Sequence, residues 1–157
     1  MAKILVVYYT RTKHTEAMAK LIASSAQKAG AQVNLKHVDE AEVDELLEYD
    51  ALIIGSPTYY GSMAAPIKKF LDDSVKLHGE LDGKIGAAFS SAANLGGGNE
   101  TTIRGILDAM LIHGMIIQGD PEGDHYGPVA INKPDSRAEN QCRRLGQRIA
   151  KLTTLSA

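Results

Sequence analysis

An open α/β sheet wound on both sides, with five parallel strands in the order 2-1-3-4-5, is the architecture this chain predicts. Three observations carry the open doubly wound sheet, and the order is one of the two common for such sheets. Short apolar runs alternate with helical patterns from end to end. Most of those runs are continuously apolar, as in strands covered on both faces, rather than alternating as in a half-solvated sheet. The 157 residues suit one domain, 1–157, with one sizeable core. No internal repeat, low-complexity segment or linker interrupts the pattern.

The first strand runs from Lys3 to Tyr9, rich in aliphatic residues. The helix from about His14 carries Met18, Leu21 and Ile22 on one face and ends at Gly30, a natural C-terminal cap. Gln32 to Val38 alternates and reads as the second strand. Val43 to Tyr49 is a short acidic helical turn, and Ala51 to Gly55 a fully apolar third strand. Ser56 to Met63 reads as a loop. The helix beyond it turns Ile67, Phe70 and Leu71 inward and Lys68, Lys69, Asp72 and Asp73 outward. Val75 to Gly83 reads as a surface connection, Lys84 to Ser90 as a fourth strand of small residues, and Ser91 to Asn99 as a glycine-rich loop. Asn99 is placed to cap the helix of Ile103, Ile106, Leu107, Met110 and Leu111. His113-Gly114 ends that helix, and Met115 to Gln118 is the fifth strand. Gly119 to Pro134 reads as a long polar loop. The last helix lines up Cys142, Leu145, Ile149 and Leu152.

A formal net charge of −2 gives no general pull toward nucleic acid or an anionic membrane. Cys142 is the one cysteine; it cannot close an internal disulfide, and its apolar stripe predicts a buried, inert thiol. No metal-ligand spacing surrounds it, and no metal is expected. The first apolar run is too short for a signal peptide, and nothing approaches the length of a membrane span. A cytoplasmic protein is the expectation.

Three loops stand out, and all leave the carboxyl edge of the sheet, where open parallel sheets bind ligands. The first, Thr10-Arg11-Thr12-Lys13-His14-Thr15, sets three hydroxyls and two cations at a helix N-terminus, whose free N–H groups and dipole suit a phosphate. Plain helix capping explains a threonine there equally well. The loop lacks both the Walker pattern and the glycines of a dinucleotide fingerprint. The second, Pro57-Thr58-Tyr59-Tyr60-Gly61, offers two flat aromatic faces beside hydroxyls, for stacking a planar heterocycle or for ordinary packing. The third holds Ser90, Ser91, Asn94, Leu95, Gly96, Gly97 and Gly98; its glycine triplet lets backbone pass close to a flat ligand, unless it is only a flexible loop. On its own terms, His113 reads as a helix C-terminal histidine facing the helix dipole.

The first loop resembles the phosphate loop of flavodoxins. The run Val43 to Tyr59 resembles their approach to the flavin ring, so the predicted fold is flavodoxin-like. Tyr8-Tyr9, Lys69-Phe70-Leu71-Asp72, Phe89-Ser90-Ser91, Gly96-Gly97-Gly98 and His113-Gly114-Met115 resemble the WrbA-type NAD(P)H:quinone oxidoreductases of that superfamily. The resemblance spans nearly the whole chain and implies FMN as cofactor. It implies that residues 10–15 hold the phosphate, that Pro57 to Gly61 flank the ribityl chain and ring, and that Ser90, Ser91 and 94–98 line the other edge. It places His113 near the ring. His113 or Tyr126 would then serve the acceptor with a hydrogen bond or proton. Arg11 and Lys13 stand where flavodoxin loops usually carry glycine, and Asp120 to Pro134 is shorter than the corresponding WrbA-type insertion.

Two functions go with FMN. One is a flavodoxin-type carrier shuttling single electrons between redox proteins. The other is an enzyme taking hydride from NADH or NADPH and passing two electrons to a quinone. Carriers crowd carboxylates around the ring, but neither 57–63 nor 90–99 contains Asp or Glu. The glycine N–H groups instead favour full two-electron reduction, so the enzyme is the expectation. A phosphate-binding signalling module leaves the second and third loops without a role. The implied partners are small-molecule acceptors, not nucleic acid or membrane, and the resemblance leaves a homo-oligomer, dimer or tetramer, open.

Overall fold

The computed structural model describes residues 1–156. Strand β1 (Lys3–Tyr8) lies between β2 (Gln32–His37) and β3 (Ala51–Tyr59), both parallel to it. β5 (Ile85–Ala92) continues the parallel array beside β3. The side chains of β1 divide the core: Ile4 and Val6 face one way and Leu5 and Val7 the other, all fully buried. Helices α1 (His14–Lys28) and α4 (Ser136–Ser156) cover the first face; α2 (Ala65–Asp73) and α3 (Asn99–Ile112) cover the second. Strands covered on both faces need no polar side, which explains the continuous apolar runs. Cys142 is buried between α4 and the sheet, and burial pushes its thiol up to about 12, so it stays protonated.

Among the described residues the sheet has seven strands rather than five: the row β2-β1-β3-β5 is continued by β6 (Ile116–Ile117), with two short additions. The first, β4 (Ser62–Met63), pairs antiparallel with the end of β3. β3 therefore runs four residues past Gly55, and what reads as loop in the sequence is largely a hairpin turning at Tyr60 and Gly61, both at positive φ. The fifth position is divided. β6 (Ile116–Ile117) pairs with Ile85 and Gly86, and β7 (Val129–Ile131) pairs with Ser90 to Ala92. The expected polar loop thus contains a strand. Only Val129, Ala130 and Ile131 are apolar there, between Pro128 and Pro134, too short a run to show a period. Three smaller corrections follow. β5 extends through Ser91 and Ala92, Gly98 rather than Asn99 is the N-cap of α3, and the connection 75–83 buries Leu77 and Leu81.

Side chains of α4 clasp the segment between β6 and β7. Arg144 binds both carboxylate oxygens of Asp120 at 2.6 and 2.9 Å, Arg148 reaches the same group at 3.0 Å, and Arg137 binds Asp124 at 2.7 Å. The Arg144 hydrogen bonds hold the Asp120 carboxyl down at about 2, against burial, which acts the other way. A folded-state value below the unfolded one means stability fully present above about pH 4 and lost as the pH falls toward 2. Asp120→Asn should flatten the acid limb of a stability–pH curve in that window. An unchanged limb would show that the clasp carries no such linkage.

Candidate functional site

The three loops singled out in the sequence meet at the carboxyl edge of the sheet. The first turns sharply at Lys13, whose φ of 68° and ψ of 5° are left-handed, and α1 starts on the next residue. Among the described residues no side chain caps α1, so the capping alternative for these threonines does not hold here. Thr12 bonds His14 Nδ1 at 3.2 Å. Thr15 is buried and pairs with Ser91 across 2.9 Å, which pins the first loop to β5. The Thr10 hydroxyl is buried and has no hydrogen-bond partner among the described residues. A buried hydroxyl without a hydrogen bond is costly, and beside an uncapped helix N-terminus it suits an anionic oxygen.

The second and third loops are locked together. The Thr101 hydroxyl shares its one proton between the Gly61 carbonyl at 2.6 Å and that of Gly98 at 2.9 Å. Thr102 donates to the Gly98 carbonyl at 2.9 Å and lies 3.2 Å from the Thr58 hydroxyl. These two threonines were missed in the sequence; the signal for them was a pair of hydroxyls in the first turn of α3 facing a glycine triplet. Within the third loop, Gly97 N–H donates to the Asn94 carbonyl at 3.1 Å. Leu95 and Tyr60 are exposed. Tyr60 has a φ of 48°, an uncommon conformation for a bulky side chain. The Arg11 guanidinium lies 5.9 Å from the centre of the Tyr59 ring, joining the first loop to the second. The three loops form an open shelf of hydroxyls, backbone N–H groups and two aromatic rings. A groove of about 610 Å³ between Val38–Val43 and α2 lies away from it, and mixed charges line its rim.

Some expected site residues lie elsewhere. Ser90 is fully buried, and its hydroxyl donates to the Asn99 carbonyl at 2.9 Å, anchoring the start of α3 instead of facing a ligand. Tyr126 packs under Arg104, 5.5 Å from its guanidinium carbon, and Arg104 itself sits roughly 9 Å along α3 from Gly98 at 1.5 Å per residue. No hydrogen bond or ring contact among the described residues joins it to the three loops. His113 follows the far end of α3, about 20 Å from its N-terminus. The helix starts at the loop edge and carries the histidine to the opposite edge of the sheet.

The surroundings of His113 fix its state. Ser74 donates to the Leu71 carbonyl at 2.6 Å, so its oxygen accepts from His113 Nε2–H at 2.8 Å. Nδ1 is left as a buried, unpartnered lone pair. Burial, with a smaller contribution from His78, pushes the imidazole below its ordinary value. Burial and the unpartnered Nδ1 both favour the neutral ring. Its stabilisation is present above about pH 6.5 and lost as the pH falls below that. Melting temperatures of wild type and His113→Gln should converge as the pH drops from neutral to mildly acidic. Parallel curves would rule out a buried neutral ring.

With this fold and shelf in view, the chain belongs to the flavodoxin family, whose model matches residues 6–103. Family membership implies a flavin cofactor. A flavodoxin from Aquifex aeolicus (strain VF5) is 44% identical, covering 96% of this chain and 86% of the relative. An NAD(P)H dehydrogenase (quinone) from Sinorhizobium fredii (strain NBRC 101917 / NGR234) is 41% identical, covering 77% of this chain and 72% of the relative. A flavodoxin-type, WrbA-like protein from Agrobacterium tumefaciens superposes over all of both chains with a TM-score of 0.87 at 25% identity. Among the described residues, no helix is long and apolar enough to cross a membrane.

Proposed function

We propose that this protein binds FMN and moves two electrons from NADH or NADPH to a quinone or similar acceptor. The observation that carries the cofactor is the unpartnered Thr10 hydroxyl beside an uncapped helix. Thr10 and Thr12, with the first N–H groups of α1, would hold the phosphate. Tyr59 and Tyr60 would flank the ring, and the backbone of 94–98 would line its other side. When bound, FMN supplies the hydride-accepting ring and passes the electrons on. The chain's residues then orient donor and acceptor. Leu95 and Tyr60 offer an open apolar rim, and residues 57–63 and 90–99 place no carboxylate against the ring.

That absence favours the enzyme, as do relatives named NAD(P)H dehydrogenase (quinone). A one-electron carrier is the second reading, favoured by the 44%-identical relative named flavodoxin. The deciding experiment loads the purified protein with FMN and adds NADH or NADPH without oxygen. The enzyme bleaches the flavin absorbance with no separate reductase, and a benzoquinone restores it; a flavin left oxidised by both nucleotides establishes the carrier. Thr10→Val tests the phosphate site. A hydrogen bond to a charged group contributes about 1.5–3 kcal/mol, so FMN affinity should fall at least about tenfold while riboflavin affinity holds. Equal losses for both ligands would remove the phosphate from this loop.

A further inference from the structure

We propose that the groove between α2 and the second half of α3 is a ligand site separate from the shelf, and that it takes a small uncharged phenol, a flat apolar ring carrying one hydroxyl. The proposal does not rest on the flavin reading. The groove has a volume of about 550 Å³, within the range of roughly 300–1,000 Å³ usual for small-molecule sites. Leu71, Val75, Ala109 and Ile112 give it apolar walls, and His113 closes the end away from the loops. Apolar walls with one well-placed polar group are what such sites present.

Gly105 sets the shape. It lies inside α3, where glycine is less stable than alanine. Its backbone is helical, so no left-handed turn calls for it. A β-carbon there would approach the flexible end of the Met63 side chain at 3.3 Å and no backbone of another element. What glycine achieves at this position is a low floor. Gly105 and Ala109 lie one turn apart on the same face of α3, so a flat ring can rest against the helix. The exposed His78 ring, tilted and 6.3 Å from that of His113, adds an aromatic face.

His113 sets the chemistry. It is 9% exposed, its Nε2–H is committed to Ser74, and its Nδ1 lone pair has no donor among the described residues. A buried acceptor without a donor is costly, and an O–H on the ligand would supply one. Nδ1 is closed to bulk water, so the ligand must part the flanking His78 and Ile112 side chains, both exposed, to reach it. Charge at the rim narrows the class. Lys68 is taken by Asp72 at 2.6 Å, whereas Asp108 is exposed and forms no ion pair among the described residues. A carboxylate or phosphate would meet that uncompensated negative charge, and an ammonium would lose its hydration against apolar walls. A neutral hydroxyl on a ring meets neither cost.

The test titrates phenol, anisole and benzoate into the full chain and follows the Leu71, Val75, Ala109 and Ile112 methyl resonances and the His113 ring nitrogens. Phenol should shift all of these saturably. Anisole keeps the ring but has no donor, so it should bind about fivefold more weakly, the loss of one neutral hydrogen bond. Benzoate should not bind. Gly105→Leu should abolish phenol binding and melt no lower than wild type, because leucine is the better helix former. Gly105→Ala intrudes less; it should weaken phenol binding by a smaller factor and carries the same test if the leucine variant does not fold. His113→Phe should bind phenol and anisole alike. Phenol that leaves the groove unmoved, anisole that binds as tightly as phenol, or a folded Gly105→Leu that still binds would overturn the proposal. So would shifts confined to residues 57–61 and 94–98, which would seat phenol on the shelf. Shifts that follow protein concentration without phenol would also overturn it, by showing a second copy of the chain in the groove.

Discussion

Replacing Gly127 by alanine is expected to cost about 3–5 kcal/mol of folding stability, from steric overlap and backbone strain together. A β-carbon there would lie 2.0 Å from the Ala88 carbonyl oxygen, a backbone atom of a central strand that cannot swing aside. The φ of 149° is itself disfavoured for a side chain. The next residue delivers the Pro128 carbonyl to Ser90 N–H at 3.0 Å, so displacement at 127 would pull β7 out of register. Urea unfolding of wild type and variant measures this directly. A midpoint shifted by less than the scatter between repeats would mean that the segment yields without cost, and that β7 is not held by this close approach.

Gly98→Ala should act on the ligand more than on the fold. The new β-carbon would sit 2.6 Å from the Gly61 Cα and 3.2 Å from the Thr101 hydroxyl, at a φ of 101°. The second and third loops would have to part, breaking the Thr101 bridge and widening the shelf. FMN and riboflavin affinity should both fall by roughly a factor of ten or more, since parting the loops costs on the order of 1–3 kcal/mol. That pattern differs from Thr10→Val, which spares riboflavin. Undiminished affinity for both flavins would place the ring away from the glycine triplet.

Much of the fold was legible because burial on both faces writes itself into composition. Ile4 to Val7 and Ala51 to Ile54 could only be interior strands, and the stripes of α2 and α4 pointed inward as read. The split fifth strand was not legible. Its second half is held by Gly127 against Ala88 and by Arg137 of the helix that follows, which donates to the Val129 carbonyl and binds Asp124. Those contacts are tertiary and leave no local period. The loops of the shelf could be read as loops because their hydroxyls and glycines cluster at strand ends. The pairing of Thr15 with Ser91 across 76 positions could not, nor could the direction of Ser90. His113 shows the limit of a motif: its neighbours resemble a family unit, yet the length of α3 carries it to the other edge of the sheet.

The divided outer strand has a consequence for how these molecules meet one another. A sheet ending in a long, flat strand invites a foreign strand to add to it, because its row of free N–H and C=O groups is a template. Here that border consists of a two-residue piece and a three-residue piece. Between them the chain bends away under Asp120 and Asp124, each bound by arginines. An incoming segment finds no uninterrupted register and must displace charged groups to make one. The same clasp that fixes this border therefore guards this edge of the sheet, the one opposite β2, against edge-to-edge pairing.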